Sequence, residues 1–106
     1  MERTHSLTVG KRAVSVSELT VAEVVGIVEG TADMPEGILW LDHMLTGPID
    51  SALTLYCTDL ELEELKSMYP DEVQTVADKV GEMNPFFVRL LGKIRAKAEE
   101  LTRSAS

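Results

Sequence analysis

A chain of 106 residues that is 44% apolar has enough material for one hydrophobic core and too much apolar content for a disordered acidic tail. A formal charge of −8 argues against partners held by phosphate or anionic lipid, which need clustered Lys and Arg. The single cysteine, Cys57, leaves no internal disulfide and no CxxC metal pattern.

In chain order, Met1 to Ser6 read as a flexible start. LTVGKRAVSV, about residues 7–16, reads as a β-hairpin, because Gly10 followed by polar Lys11 suits a tight turn. Two strands alone are marginal, so the hairpin must lean on helices. Thr20 and Glu23 then form a capping box, with Leu19 and Val24 at staple positions. Val21, Val24, Val25 and Val28 make one apolar face, and Gly30 ends that helix.

Pro35 is placed to open the next helix and Gly47-Pro48 to close it. Its residues Ile38 to Leu41, Met44 and Leu45 are apolar nearly all round, the pattern of a central or partner-facing helix. Pro48 opens a further short helix with Ile49, Ala52, Leu53 and Tyr56 on one face. Thr58 and Glu61 suggest a second capping box, followed by Leu62, Leu65 and Met68 as a buried side. Pro70 starts a helix striped by Val73, Val76, Ala77 and Val80.

Asn84 and Pro85 take the cap and first position of the last helix, with Met83 and Val88 as its staple. Phe87, Leu90, Leu91, Ile94, Ala98 and Leu101 follow the helical period. Thr102 to Ser106 read as a flexible end. The expected fold is mainly α: a compact bundle of five or six short helices with a small N-terminal β-hairpin, spanning residues 7–101 as one domain.

No catalytic, cofactor or metal constellation emerges. His5 and His43 lack neighbouring ligands at metal spacing. DLELEEL lacks the glycine and alternating oxygens of a calcium loop. Cys57 stands where a helix start lowers a thiol pKa, yet reads first as a small core residue. What remains is apolar surface. Trp40, between Leu39 and Leu41, reads first as core and otherwise as a partner contact. Phe86 lies about 100° off the last helix's stripe. It either wedges against the preceding helix, the favoured alternative, or waits for a partner. Trp40, Leu39, Met44 and Phe86 are therefore the candidate partner-binding residues.

The order of Leu19-Thr20-Val21, Thr58-Asp59-Leu60, Pro70 to Val73 and Glu82 to Phe87 resembles tail assembly chaperones of long-tailed bacteriophages, including Mu-like and prophage-encoded forms. Tyr69-Pro70 departs from the Ser-Pro or Thr-Pro of that family. The resemblance implies a non-enzymatic protein of the bacterial host cytoplasm that binds the tape-measure protein, or another tail protein, and keeps it soluble. It assigns no binding residue; no cofactor is expected, and the acidic charge speaks against nucleic-acid and membrane partners. The alternative is a small acidic intracellular interaction or regulatory module, with self-association open.

Overall fold

The computed structural model describes residues 3–104. Strands β1 (Thr4–Val9) and β2 (Arg12–Ser17) are followed by six helices. These are α1 (Val21–Glu29), α2 (Leu39–Met44), α3 (Ser51–Tyr56), α4 (Leu62–Ser67), α5 (Pro70–Met83) and α6 (Pro85–Ser104). The fold is mainly helical with an N-terminal antiparallel hairpin, as the sequence implies.

Val9 pairs with Arg12, so Gly10 and Lys11 alone make the turn. Gly10 has φ 60° while, among the described residues, no non-glycine residue has positive φ, the pattern of a type II′ turn. The hairpin is longer than the expected 7–16. Thr4 already pairs with Ser17, and the Glu18 amide donates to the Arg3 carbonyl at 2.8 Å. His5 Nε2 lies 2.7 Å from Glu18 Oε2 and ties down the same end. At the other end, helix continues through Ser104 instead of stopping at 101, since neither Gly nor Pro interrupts it after Gly92. The remaining positions of the two expected flexible ends, 1, 2, 105 and 106, lie outside the described residues.

α5 is the central helix. It packs on β1, β2, α3 and α6, and Val73, Val76, Ala77 and Val80 are all buried. Val14 and Val16 alternate inward from β2 and are fully buried, as the two-residue strand period requires. Leu65 and Phe87 complete the same core.

Six helix starts were expected from local signals, and those at Pro70 and Pro85 stand where the sequence puts them. Thr20 behaves as expected: its hydroxyl accepts from the Glu23 amide at 3.2 Å, and Glu23 accepts from the Thr20 amide at 3.0 Å. Thr58 does not cap α4. It forms a β-bridge to Val16, flanked by Ser17 N–H donating to the Cys57 carbonyl at 2.7 Å. The Thr58 hydroxyl donates to the Thr54 carbonyl instead. The α4 cap passes to Glu61, whose amide donates to Glu64 Oε1 at 3.3 Å.

Pro35 and Pro48 do not open helices; α2 begins at Leu39 and α3 at Ser51. Side-chain acceptors set those starts. Asp50 accepts from the Leu53 amide at 2.8 Å and caps α3. The buried Ser51 hydroxyl accepts from the Ile38 amide, and Asp42 accepts from the Ser51 amide, both at 2.7 Å. These bonds hold the chain before Leu39 extended across the start of α3.

Candidate functional site: an apolar groove between α1 and α6

The sequence marks Val21, Val24, Val25 and Val28 as one apolar face of α1. The structure leaves most of it in solvent: Val21 is 81% exposed, Val25 45% and Val28 47%. No α1 residue is fully buried; Val24 and Ile27, with Leu19 just before the helix, pack against the core edge. Gly30, at φ 76°, stops the helix as expected.

The stripe of α6 divides in the same way. Phe87 is 2% exposed and belongs to the core, with Leu91 packed beside it. From Gly92 to Leu101 every residue is exposed, including Ile94 and Leu101. The second half of α6 therefore stands clear of the body. Its apolar stripe continues past the last neighbour that could cover it.

Between these two elements lies a groove of about 550 Å³. Val21, Val24 and Val25 line one side, and Phe86, Phe87 and Leu90 line the other. A smaller extension of about 140 Å³ runs along α1 past Val28 and Glu29, with Leu90 again opposite. The charged groups at the groove are Arg3 and Glu18. The hydrogen bond from His5 lowers the Glu18 carboxyl below its ordinary range, and the Arg3 guanidinium at 3.6 Å adds to it. Glu18 is thus held as a carboxylate at the groove mouth.

Phe86 does not wedge against α5. It is 77% exposed, and the Arg89 guanidinium sits 5.3 Å from its ring centroid. One turn cannot bury two adjacent side chains on one face, because they are about 100° apart. Phe87 takes the core position.

Trp40 is not core either. It is 76% exposed, and its ring lies 5.6 Å from that of His43. Leu39 and Met44 are exposed beside it on α2. None of these three lines the α1–α6 groove, so the four candidate residues do not form one site. The sequence reading missed Val21 and Val25 as groove walls. Periodicity locates an apolar face but not what lies across from it. The signal that was present is the density of valine in a nine-residue helix, weak helix formers whose packing partner is absent from the chain's own core.

Cys57 is 1% exposed at the C-terminal end of α3. Burial pushes its thiol up to about 12, and the nearby Glu23 carboxylate adds to the shift. The helix-start effect considered from sequence does not operate there. Native protein is therefore expected to leave Cys57 unmodified by a thiol reagent at neutral pH, and to react fully once unfolded. A thiol titration before and after denaturant checks this; rapid native labelling would contradict the burial. Among the described residues no three His, Cys, Asp or Glu side chains are gathered to hold a metal ion.

No protein-family model matches the chain, and no curated protein or solved structure matches it significantly. Among the described residues, no helix is long and apolar enough to cross a membrane.

Proposed function

We propose that this protein is a non-enzymatic docking protein of the phage tail assembly chaperone type. It takes an apolar helical segment of a tape-measure protein into the α1–α6 groove and keeps that protein soluble in the bacterial cytoplasm until assembly. One observation carries the reading. Two of the segments on which the resemblance rests are far apart in sequence, yet Leu19 and Val21 of one and Met83 to Phe87 of the other line the same apolar groove.

The chemistry fits such a role. An amphipathic helix binds by laying its apolar face into a hydrophobic groove, anchored at helical spacing. Exposed aromatic and aliphatic anchors supply the affinity, and Phe86 is the largest of them here. The acidic surface keeps a protein with such a patch in solution. Trp40, Leu39 and Met44 form a second exposed apolar patch, which a long client can reach at the same time.

The test is co-expression with a tape-measure protein from the same genome. Its soluble yield is expected to rise with the wild-type chain. A Val25→Glu, Phe86→Asp double variant is expected to return the yield to that without the chain, with helix content unchanged by circular dichroism. Equal solubility in all three cases would sink the reading.

A further inference from the structure

We propose that this protein pairs with a second copy of itself by joining the two β1 edges into one continuous antiparallel sheet. The hairpin's own ladder shows which groups do this. The Glu18 amide donates to the Arg3 carbonyl, so Arg3 and Glu18 are a bonded pair. Bonded and unbonded pairs alternate along an antiparallel ladder. With Thr4 opposite Ser17 and Val9 opposite Arg12, the backbone groups of Thr4, Ser6 and Thr8 therefore point away from β2. On β2 the outward groups are already used. The Ser17 amide donates to the Cys57 carbonyl at 2.7 Å, and the Asp59 amide donates to the Ser15 carbonyl at 3.2 Å. Among the described residues, no backbone group answers Thr4, Ser6 and Thr8 in the same way.

An open edge is a template for another strand, and proteins blunt it with lysine, proline or a bulge. β1 has none of these. Its sequence is THSLTV, and it pairs one to one with β2 throughout. Thr4, Ser6 and Thr8 are exposed, while Leu7 and Val9 pack against the core from the other face. The edge is therefore extended, fixed in place from behind, and carries no charge on its outward residues.

Three features select a second β1 as the occupant. The first is register. About a two-fold axis at Ser6, antiparallel pairing sets Ser6 against the partner's Ser6 and Thr4 against the partner's Thr8. Each bonded pair exchanges two hydrogen bonds, about six in all. A two-fold interface uses one patch on both copies, and this edge meets that requirement. The second is the exposed row of side chains, which pairs threonine with threonine and serine with serine, combinations that support a sheet. The third is charge. The Arg3 side chain is 78% exposed, and the axis sets it opposite the partner's Val9, one residue from the partner's Gly10. Glu72 stands at that turn: its Oε2 is 3.3 Å from where a Cβ on Gly10 would lie. Each end of the joined edges thus brings a guanidinium up to the partner's Glu72, which favours this partner in this register. His5, the ionisable residue within β1, is bonded to Glu18 and lies across from the partner's Leu7.

The pairing leaves the valine and phenylalanine walls of the α1–α6 groove free. It does not rest on the client reading and is tested on the isolated full chain. An edge of six residues makes a small interface, so the pairing depends on concentration. Light scattering across a concentration series is expected to show a mass rising from one copy to two. Ser6→Cys is expected to give an interchain disulfide under mild oxidation, because a bonded antiparallel pair has Cα atoms about 5.5 Å apart, within disulfide reach; buried Cys57 does not compete. Ser6→Lys sets two cations against each other at the axis. It changes an exposed side chain, so it is expected to keep the wild-type circular dichroism and to remain one copy. In the wild type, amide exchange at Thr4, Ser6 and Thr8 is expected to slow several-fold as concentration rises.

A single-copy mass at every concentration overturns the proposal. So does a dimer that persists in Ser6→Lys, or one in which the Thr4, Ser6 and Thr8 amides exchange as fast as in the single copy, since either places the contact elsewhere. If Ser6→Lys loses its fold, the Ser6→Cys cross-link and the exchange rates decide alone. The two readings fail separately: a single-copy protein that still solubilises a client removes this inference alone, and a β1-paired dimer without effect on a client removes the chaperone reading alone.

Discussion

Replacing Asn84 by alanine is expected to lower stability by about 3 kcal/mol, a large fraction of what a small domain has to spare. Asn84 is 6% exposed, and its side chain joins three segments. Its Oδ1 accepts from the Leu19 amide at 2.7 Å. Its Nδ2 donates to the Ser17 carbonyl at 3.2 Å and to the Val80 carbonyl at 3.0 Å. Each partner left unsatisfied in a dry site costs about 1–3 kcal/mol. Water reaching the edge of the groove recovers part of that. Thermal melting is the measurement, and a drop of roughly 12 °C or more is expected for a domain of this size.

The aspartate variant separates the hydrogen-bond argument from simple packing. Asn84→Asp keeps the shape and the acceptor for Leu19 but loses both donors. A carboxylate would then face the Ser17 and Val80 carbonyls. That environment disfavours the charged form, so the introduced carboxyl has a raised folded pKa. Stability conferred by a raised pKa is present at low pH and lost as pH rises through it. Asn84→Asp should therefore be less stable than wild type at neutral pH and recover relative to it near roughly pH 4, where the group protonates. A deficit unchanged with pH would show that shape, not donor loss, governs this position.

Asn84 also marks where reading the sequence succeeds and where it stops. As the residue before Pro85 it is correctly placed at a helix junction. Its side chain was expected to cap α6 and instead serves Leu19, 65 positions away. Thr58 repeats the lesson: a hydroxyl three residues before a glutamate is a capping signal, but Val16 pairs with that backbone first. Signals completed within one helix, such as Thr20 with Glu23 or the stripe from Val73 to Val80, were legible. Those whose partner arrives from another element were not.

The groove follows the same logic. Both apolar faces were visible as periodic stripes, on α1 and on α6. That they face each other across a groove is set by how the elements pack, which no local pattern encodes. The exposed residues are consequently those where a stripe outruns its cover: Val21, Val25 and Val28 on one helix, Ile94 and Leu101 on the other.

The adjacent phenylalanines turn this division into a direct comparison. Phe87→Ala is expected to cost about 3–5 kcal/mol, because it removes a buried ring and leaves a cavity against α5. Phe86→Ala is expected to cost no more than about 1 kcal/mol, the scale of the exposed contact with Arg89. For solubilising a client the effects differ in kind. Phe86→Ala removes an anchor from a folded protein, so client solubility should fall at full stability. Phe87→Ala loses function only as it loses fold, and lowering the temperature should restore both together. Denaturant melts give the stabilities, and co-expression at two temperatures gives the activity. If Phe86→Ala destabilised the protein as much as Phe87→Ala, Phe86 would be part of the core and the groove would lose its principal anchor. If neither stability nor client solubility changed, the ring would be a spectator and the groove would have to bind through its valines alone.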